Sequence, residues 1–188
     1  MIRVIKLGGS LLSARALPAC LNKLAEFSGK LLIVPGGGVF ADQVRAAQRQ
    51  WGFDDITAHR MAILSMQQMA WLFHSLRPDF AVFGKLANAG DSAKAAIWAP
   101  CLQELEHAGI AASWDITSDS LAAWLAGQVS ADELLLVKSC PIAPETPLAQ
   151  LQRQGIIDAG FVKFVNLAGF KTTIINKDRF LSSHAQIH

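Results

Sequence analysis

Short, densely apolar runs alternate with longer stretches whose apolar positions fall at helical spacing. Residues 3–7, 30–34, 80–83, 95–99, 134–137 and 172–175 are rich in aliphatic side chains and short enough to be buried strands. Between them, Leu17, Leu21, Leu24 and Ala25 mark a helix over 17–27, and Leu121, Trp124 and Leu125 mark another after Ser118-Asp119-Ser120. Further helices are predicted over 40–50, 55–76 and 101–108. Thr146-Pro147 predicts a helix start, with Thr146 as cap and the proline at the first helical position, and Gly155 predicts its end. Residues 88–92 read as a mobile loop, and 161–167 fits neither period cleanly. This alternation predicts an α/β fold, a three-layer α/β/α sandwich with a mainly parallel central sheet.

The segment 55–76 departs from ordinary amphipathicity. Ala62, Ile63, Met66, Met69, Ala70, Phe73 and Leu76 fit one face, while Leu64, Trp71 and Leu72 populate others. A helix apolar nearly all round is buried or sits at a subunit interface, so a homodimer or larger assembly is expected.

Composition narrows the class. The chain has 188 residues, enough for one domain that buries about 70% of its unfolded surface. It is 52% hydrophobic and 17% charged, which favours a large core, a subunit interface, or both. A net charge of +2 with scattered Lys and Arg gives no nucleic-acid footprint. No apolar stretch of about 18 residues occurs, so no membrane span is expected, and the chain enters a strand at once rather than a signal peptide. Cys20, Cys101 and Cys140 lack metal or redox spacing and read as reduced thiols of a cytoplasmic protein. Five Trp against no Tyr has no physical account at this level.

Two glycine-rich turns follow apolar runs: Lys6-Leu7-Gly8-Gly9-Ser10 and Pro35-Gly36-Gly37-Gly38. A loop without side chains lets backbone N–H groups close on a phosphate, and the following helix adds its positive end. Two such loops suit two phosphoryl groups held at neighbouring strand ends; alternatively, the glycines serve backbone geometry alone. Lys6 ends a strand, where a lysine faces a ligand anion or reaches to solvent. Lys138 ends another apolar strand and can point to the same sheet edge, where ligands of open α/β sheets bind. Asp119, with Asp115 and the hydroxyls Thr117, Ser118 and Ser120 around it, either organises these ammonium groups or belongs to a helix start capped by Ser118. Asp42 stands in the first turn after the triple glycine and answers either the helix dipole or a ligand. His59, opening the 55–76 helix, with Arg45 and Arg60, offers positive charge to an acidic substrate, though each reads equally as an ordinary structural or surface residue. Neither G-x-x-x-x-G-K-[ST] nor G-x-G-x-x-G is present, zinc-ligand spacing is lacking, so no metal centre is expected, and no G-x-S-x-G occurs.

The glycine segments, together with Ile116-Thr117-Ser118-Asp119-Ser120-Leu121-Ala122-Ala123, resemble the amino acid kinase family, which includes acetylglutamate, uridylate, carbamate and isopentenyl phosphate kinases. A narrower resemblance is to the small kinases of the methanopterin pathway that convert an aminomethylfuran-methyl phosphate to its diphosphate. It rests on the 35–45 stretch, Ala58-His59-Arg60-Met61-Ala62-Ile63 and Ser113-Trp114-Asp115. The resemblance implies one kinase-like domain over 1–188, with an acceptor-side half at 1–115 and a shortened nucleotide-side half at 116–188. It implies that Lys6 neutralises the transferring phosphoryl group, that Gly8, Gly9, Ser10 and Ser118 hold ATP phosphates, and that Asp119 organises the lysines. Gly36, Gly37, Gly38, Asp42, Arg45, His59 and Asp115 fall to a small phosphorylated acceptor, and Mg²⁺ arrives with ATP. Many members carry Thr-Asp-Val-Asp-Gly where this chain has Lys138-Ser139-Cys140-Pro141-Ile142, and a second lysine where it has Ile157-Asp158-Ala159. Lys138 is therefore the candidate second cation, with Lys163 behind it. A nucleotide- or oxyanion-binding protein without transfer activity, and an interaction subunit built on the 55–76 helix, are the competing functions.

Overall fold

The computed structural model describes residues 1–91, 94–167 and 169–183. The elements follow in chain order as β1 (Ile2–Leu7), α1 (Ser10–Ser13), α2 (Leu17–Ala25), β2 (Lys30–Pro35), α3 (Gly38–Trp51), α4 (Asp55–Leu76), β3 (Ala81–Phe83) and β4 (Ala95–Trp98). Then come α5 (Leu102–His107), α6 (Ser118–Gln128), β5 (Glu133–Lys138), α7 (Leu148–Arg153), α8 (Phe161–Asn166), β6 (Lys171–Asn176) and α9 (Lys177–Ser182). The strands form one sheet in the order β3-β4-β2-β1-β5-β6, and every pairing is parallel. Helices cover both faces, giving the three-layer α/β/α sandwich expected from the strand–helix alternation.

Strand alternation divides the core. Val4, Leu32, Val34, Trp98, Leu134 and Leu136 pack with α6 and with Leu105, Leu151 and Phe161 of α5, α7 and α8. Ile5, Leu7, Ile33, Leu135 and Val137 point the other way, onto Leu11, the α2 leucines and Phe180 of α9. Helix α4 serves both sides, Ile63 and Met66 joining the first cluster and Met69, Ala70 and Phe73 the second. Its remaining face stays open: Ile56, Leu64 and Trp71 are exposed, and so is Leu76, which the periodicity had grouped with the buried stripe. Two of the tryptophans, Trp98 and Trp124, stack in the first cluster with ring centroids 6.0 Å apart.

Several local expectations are corrected. Pro147, not Thr146, is the N-cap residue of α7, and the Thr146 hydroxyl instead donates to the Ala143 carbonyl at 2.7 Å. Gly155 does follow the helix end, in the left-handed region at φ 67°. Thr117 rather than Ser118 occupies the cap position of α6. Helix α3 begins at Gly38, so Asp42 lies in the second turn, and His59 likewise lies one turn into α4. The ambiguous 161–167 stretch contains α8. The short helices α1 and α9 carried too few periodic positions to be read in advance. Leu86–Asn88 forms a single 3₁₀ turn that leads into the predicted 88–92 loop, of which Ser92 lies outside the described residues.

Candidate active site

Strand alternation explains how two lysines come to share one aspartate. On β1, Val4 and Lys6 face α6; on β5, Leu134, Leu136 and Lys138 do the same. The strands are neighbours, with Lys6 opposite Leu136, so both ammonium groups emerge at adjacent carboxyl ends. Asp119, in the first turn of α6, meets both: Lys6 Nζ lies 2.8 Å from Oδ1 and Lys138 Nζ 2.6 Å from Oδ2. Lys6, Lys138 and Asp119 are only 5%, 8% and 4% exposed, which removes the reading of Lys6 as a solvated strand end. Oδ1 accepts no hydrogen bond of good geometry among the described residues despite the close Lys6 ammonium, so its contact is an ion pair rather than a directed bond.

The electrostatics follow from burial. Desolvation would raise the Asp119 carboxyl, but the fields of Lys6 and Lys138 more than offset it, and the net shift is downward. Lys138 is pulled down to about 8, first by burial and then by repulsion from Lys6, against the attraction of Asp119 and Asp158. The cluster is thus anionic at its centre and cationic on two sides, with one cation poised near neutrality.

The glycine turns sit beside this cluster, backbone against backbone. A Cβ on Gly9 would lie 2.3 Å from the Gly38 backbone, and one on Gly36 would lie 2.6 Å from Gly9 N. Only glycine permits that approach. Gly8 N donates to Val137 O at 3.1 Å and Gly36 N to Leu7 O at 2.9 Å, so these two donors are spent within the framework. Among the described residues, the Gly9, Ser10, Gly37 and Gly38 amides have no backbone acceptor, as expected where helices begin. Ser139 Oγ donates to Ser10 Oγ at 2.8 Å and ties the β5 end to the first turn.

A cleft of about 260 Å³ opens next to the turns. Its wall is Gly9, Ser10, Gly36, Gly37 and Gly38 on one side, with Asp42, Arg45, His59, Trp114, Thr117 and Ser118 around it. The Arg45 guanidinium stacks on the Trp114 ring 4.1 Å from its centroid, and the Trp114 indole N–H donates to Gln48 Oε1 at 2.6 Å. Burial lowers the pKa of His59, with Glu106 acting in the opposite sense.

Most of the residues singled out from the sequence therefore converge here. Asp115 does not: it is exposed, absent from the cleft wall, and engaged through its carbonyl by Gly160 N at 2.7 Å. Arg60 turns away to pair with Glu106 at 2.9 Å. Lys163 is exposed on α8, so Lys138 is the second cation at Asp119. Trp114 and Asp158 were missed as contributors. Trp114 carried no periodic signal, and Asp158 lies 38 and 41 residues from the groups it binds, beyond any local pattern.

Comparisons with known proteins agree with this architecture. The model of the amino acid kinase family matches residues 1–141. A [5-(aminomethyl)furan-3-yl]methyl phosphate kinase of Methanocaldococcus jannaschii is 27% identical over 139 residues, covering 72% of this chain and 64% of that protein. The chain thus matches less than two thirds of that relative's length. Uridylate kinase from Archaeoglobus fulgidus superposes with a TM-score of 0.72 at 18% identity, over 96% of this chain and 94% of its own. Aspartate kinase from Synechocystis superposes with a TM-score of 0.71 at 15% identity, over 98% of this chain and 39% of its own. With the family model running through both glycine turns, the Asp119 helix and the Lys138 strand end, the chain belongs to the amino acid kinase family.

Proposed function

We propose that the protein is an ATP-dependent kinase acting on a small acceptor that already carries a phosphate, so that the product is a diphosphate. The observation that carries this reading is the buried Lys6–Asp119–Lys138 cluster at the carboxyl ends of β1 and β5, beside a cleft with open backbone donors. Phosphoryl transfer needs positioning and charge neutralisation more than covalent chemistry from the protein. Lys6 and Lys138 supply the two cations, and Asp119 holds them apart. The free Gly9 and Ser10 amides, with the Ser118 hydroxyl, receive the nucleotide phosphates. On the acceptor side, Gly37 and Gly38 offer amides, Arg45 and His59 add donors, and the exposed Asp42 supplies a carboxylate for an acceptor amine. Both Asp119 oxygens are engaged by lysines, which suits a Mg²⁺ held mainly by ATP oxygens rather than by a protein cage. Mg²⁺ would neutralise phosphate charge when bound.

The relative from Methanocaldococcus jannaschii supports an aminomethylfuran-methyl phosphate as acceptor. In this reading 1–115 is mainly the acceptor-side half and 116–188 the nucleotide-side half, but the halves share the cleft: Lys6, Gly9 and Ser10 of the first serve the nucleotide, and Thr117, Ser118 and Leu121 of the second border the cleft. No helix among the described residues is long and apolar enough to cross a membrane. A homodimer through α4 covers Ile56, Leu64 and Trp71, which share one helical face and are 56%, 48% and 61% exposed. Trp71→Glu is then expected to yield monomer by light scattering.

The deciding assay supplies ATP and Mg²⁺ with the furan-methyl phosphate and its dephosphorylated alcohol side by side. Faster turnover of the phosphate is expected; equal or faster phosphorylation of the alcohol overturns the phosphate-acceptor reading. The self-paired state of the cations favours one competing reading, a protein that binds nucleotide without transfer. ATP binding with no turnover of any phosphomonoester acceptor would establish that one instead.

A further inference from the structure

We propose that Asp158 is a positioning residue of the cation cluster: reaching across from the turn before α8, it caps the N-terminus of α6 and fixes where Asp119 stands between the two lysines. The proposal rests on the kinase reading for its catalytic consequence, but its geometry is independent of it.

Helix α6 has no local side-chain cap. The donors at its start are met from a distant segment instead. Asp158 Oδ2 accepts from Thr117 N at 2.8 Å, from Thr117 Oγ1 at 2.8 Å and from Ser120 N at 3.0 Å. Its other oxygen, Oδ1, accepts from the Ser120 hydroxyl. One carboxylate thus takes two backbone and two hydroxyl donors, and charge-assisted bonds of this kind are the strong ones. The turn that carries it is clamped to the same segment. Gly160 N donates to Asp115 O at 2.7 Å, and a Cβ there would lie 2.9 Å from both Ile116 Cγ1 and Ser120 Oγ. Only a glycine seats at that contact.

Thr117 and Ser120, three residues apart, share the face of the helix start that Asp158 holds. Asp119 lies between them in sequence and turns to Lys6 and Lys138. Pinning residues on either side fixes the carboxylate that both ammonium groups share. The charge of Asp158 also reaches Lys138. The groups acting on Lys138 are Lys6 from β1, which disfavours its ammonium form, and Asp119 from α6 with Asp158 from the turn, which favour it.

Asp158→Asn keeps the shape and removes the charge. It is expected to lower kcat about 10- to 100-fold through misplacement of Asp119, with a smaller change in the KM for ATP. The falling limb of kcat/KM for ATP should move to lower pH, as Lys138 loses a favourable charge. Asp158→Glu should return the limb toward its wild-type position. An Asp158→Asn enzyme with unchanged kcat and an unmoved limb overturns the proposal. Should that variant fail to fold by circular dichroism, Thr117→Val removes one bond and leaves the charge; lower kcat with an unmoved limb supports the proposal, and unchanged kcat overturns it. Amide hydrogen exchange gives a readout without turnover. Thr117 and Ser120 N–H should be protected in the wild type and exchange faster in Asp158→Asn, and equal exchange overturns the cap. A wild-type protein that never turns over ATP would defeat the kinase reading, and the exchange measurement would still decide the role of Asp158.

Discussion

The two sides of the site hold their charges in opposite ways. On the side proposed for the nucleotide, Lys6 and Lys138 are buried and already paired with Asp119. On the side proposed for the acceptor, Arg45 lies over an indole and has no ion pair among the described residues, while Asp42 lines the same wall exposed. A buried ion triad costs desolvation when the protein folds, so its geometry is set before any ligand arrives. Such a site suits charge that appears only in transit, where preorganisation lowers the barrier. The open side gives up less on folding and has its donors free for a ground-state ligand. Alterations of the first should therefore act on kcat, and alterations of the second on the KM of the acceptor.

The most severe break in this contrast is Asp119→Asn. It leaves two buried ammonium groups without their counter-ion, which should destabilise the fold by about 3–5 kcal/mol and remove nearly all turnover; thermal melts and steady-state rates check both. Lys6→Ala keeps the Asp119–Lys138 pair. Its expected loss is about 10²–10³ in kcat with the fold retained, and a variant keeping a third of the wild-type rate would end the assignment of Lys6. Arg45→Ala is expected to raise the KM of the phosphorylated acceptor about tenfold, leaving the KM for ATP nearly unchanged. An equal rise in both would merge the two sides.

The smallest effect is in pH. With Lys138 at about 8, kcat/KM for ATP should fall as pH rises through that value, and Lys138→Arg should carry the limb upward because a guanidinium stays charged. The stability terms have definite signs. Asp119 is depressed in the fold, so its contribution is present above the unfolded carboxylate value and is lost as pH falls through the folded one. Lys138 is lowered in the fold from 10.5 to about 8, so the unfolded chain holds more protons between those values and stability rises with pH there. Denaturant midpoints across both ranges read these slopes.

Much of this arrangement is written locally. The aliphatic runs at β1, β2 and β5 and the helical spacing of α2 and α4 depend on neighbours a few residues apart, so periodicity finds them. The lysines at the ends of two such runs, and the glycines after two of them, announce a ligand edge once the sheet is parallel. Charge and size are equally local, and the mainly parallel sheet follows from strands that mostly recur with a helix between them; the parallel β3–β4 pairing, joined among the described residues by only a 3₁₀ turn, has no such local signature.

Other features depend on which distant parts meet. That Lys6 and Lys138 point to the same face is a matter of strand parity across the β1–β5 pairing. That Gly9 and Gly38 touch depends on how the first two strands register, and their clash distance has no signature in either turn alone. Asp115 and Arg60 looked equivalent to Asp119 and Arg45, yet one faces solvent and the other pairs with Glu106. Asp158 found its donors across the fold, where no spacing rule reaches. Residue type and periodicity set which elements form and which charges they carry, because these act over a turn of chain. Partner choice among those charges is settled only when the sheet brings remote strand ends and loops within hydrogen-bond distance and burial makes an unpaired charge too costly to keep.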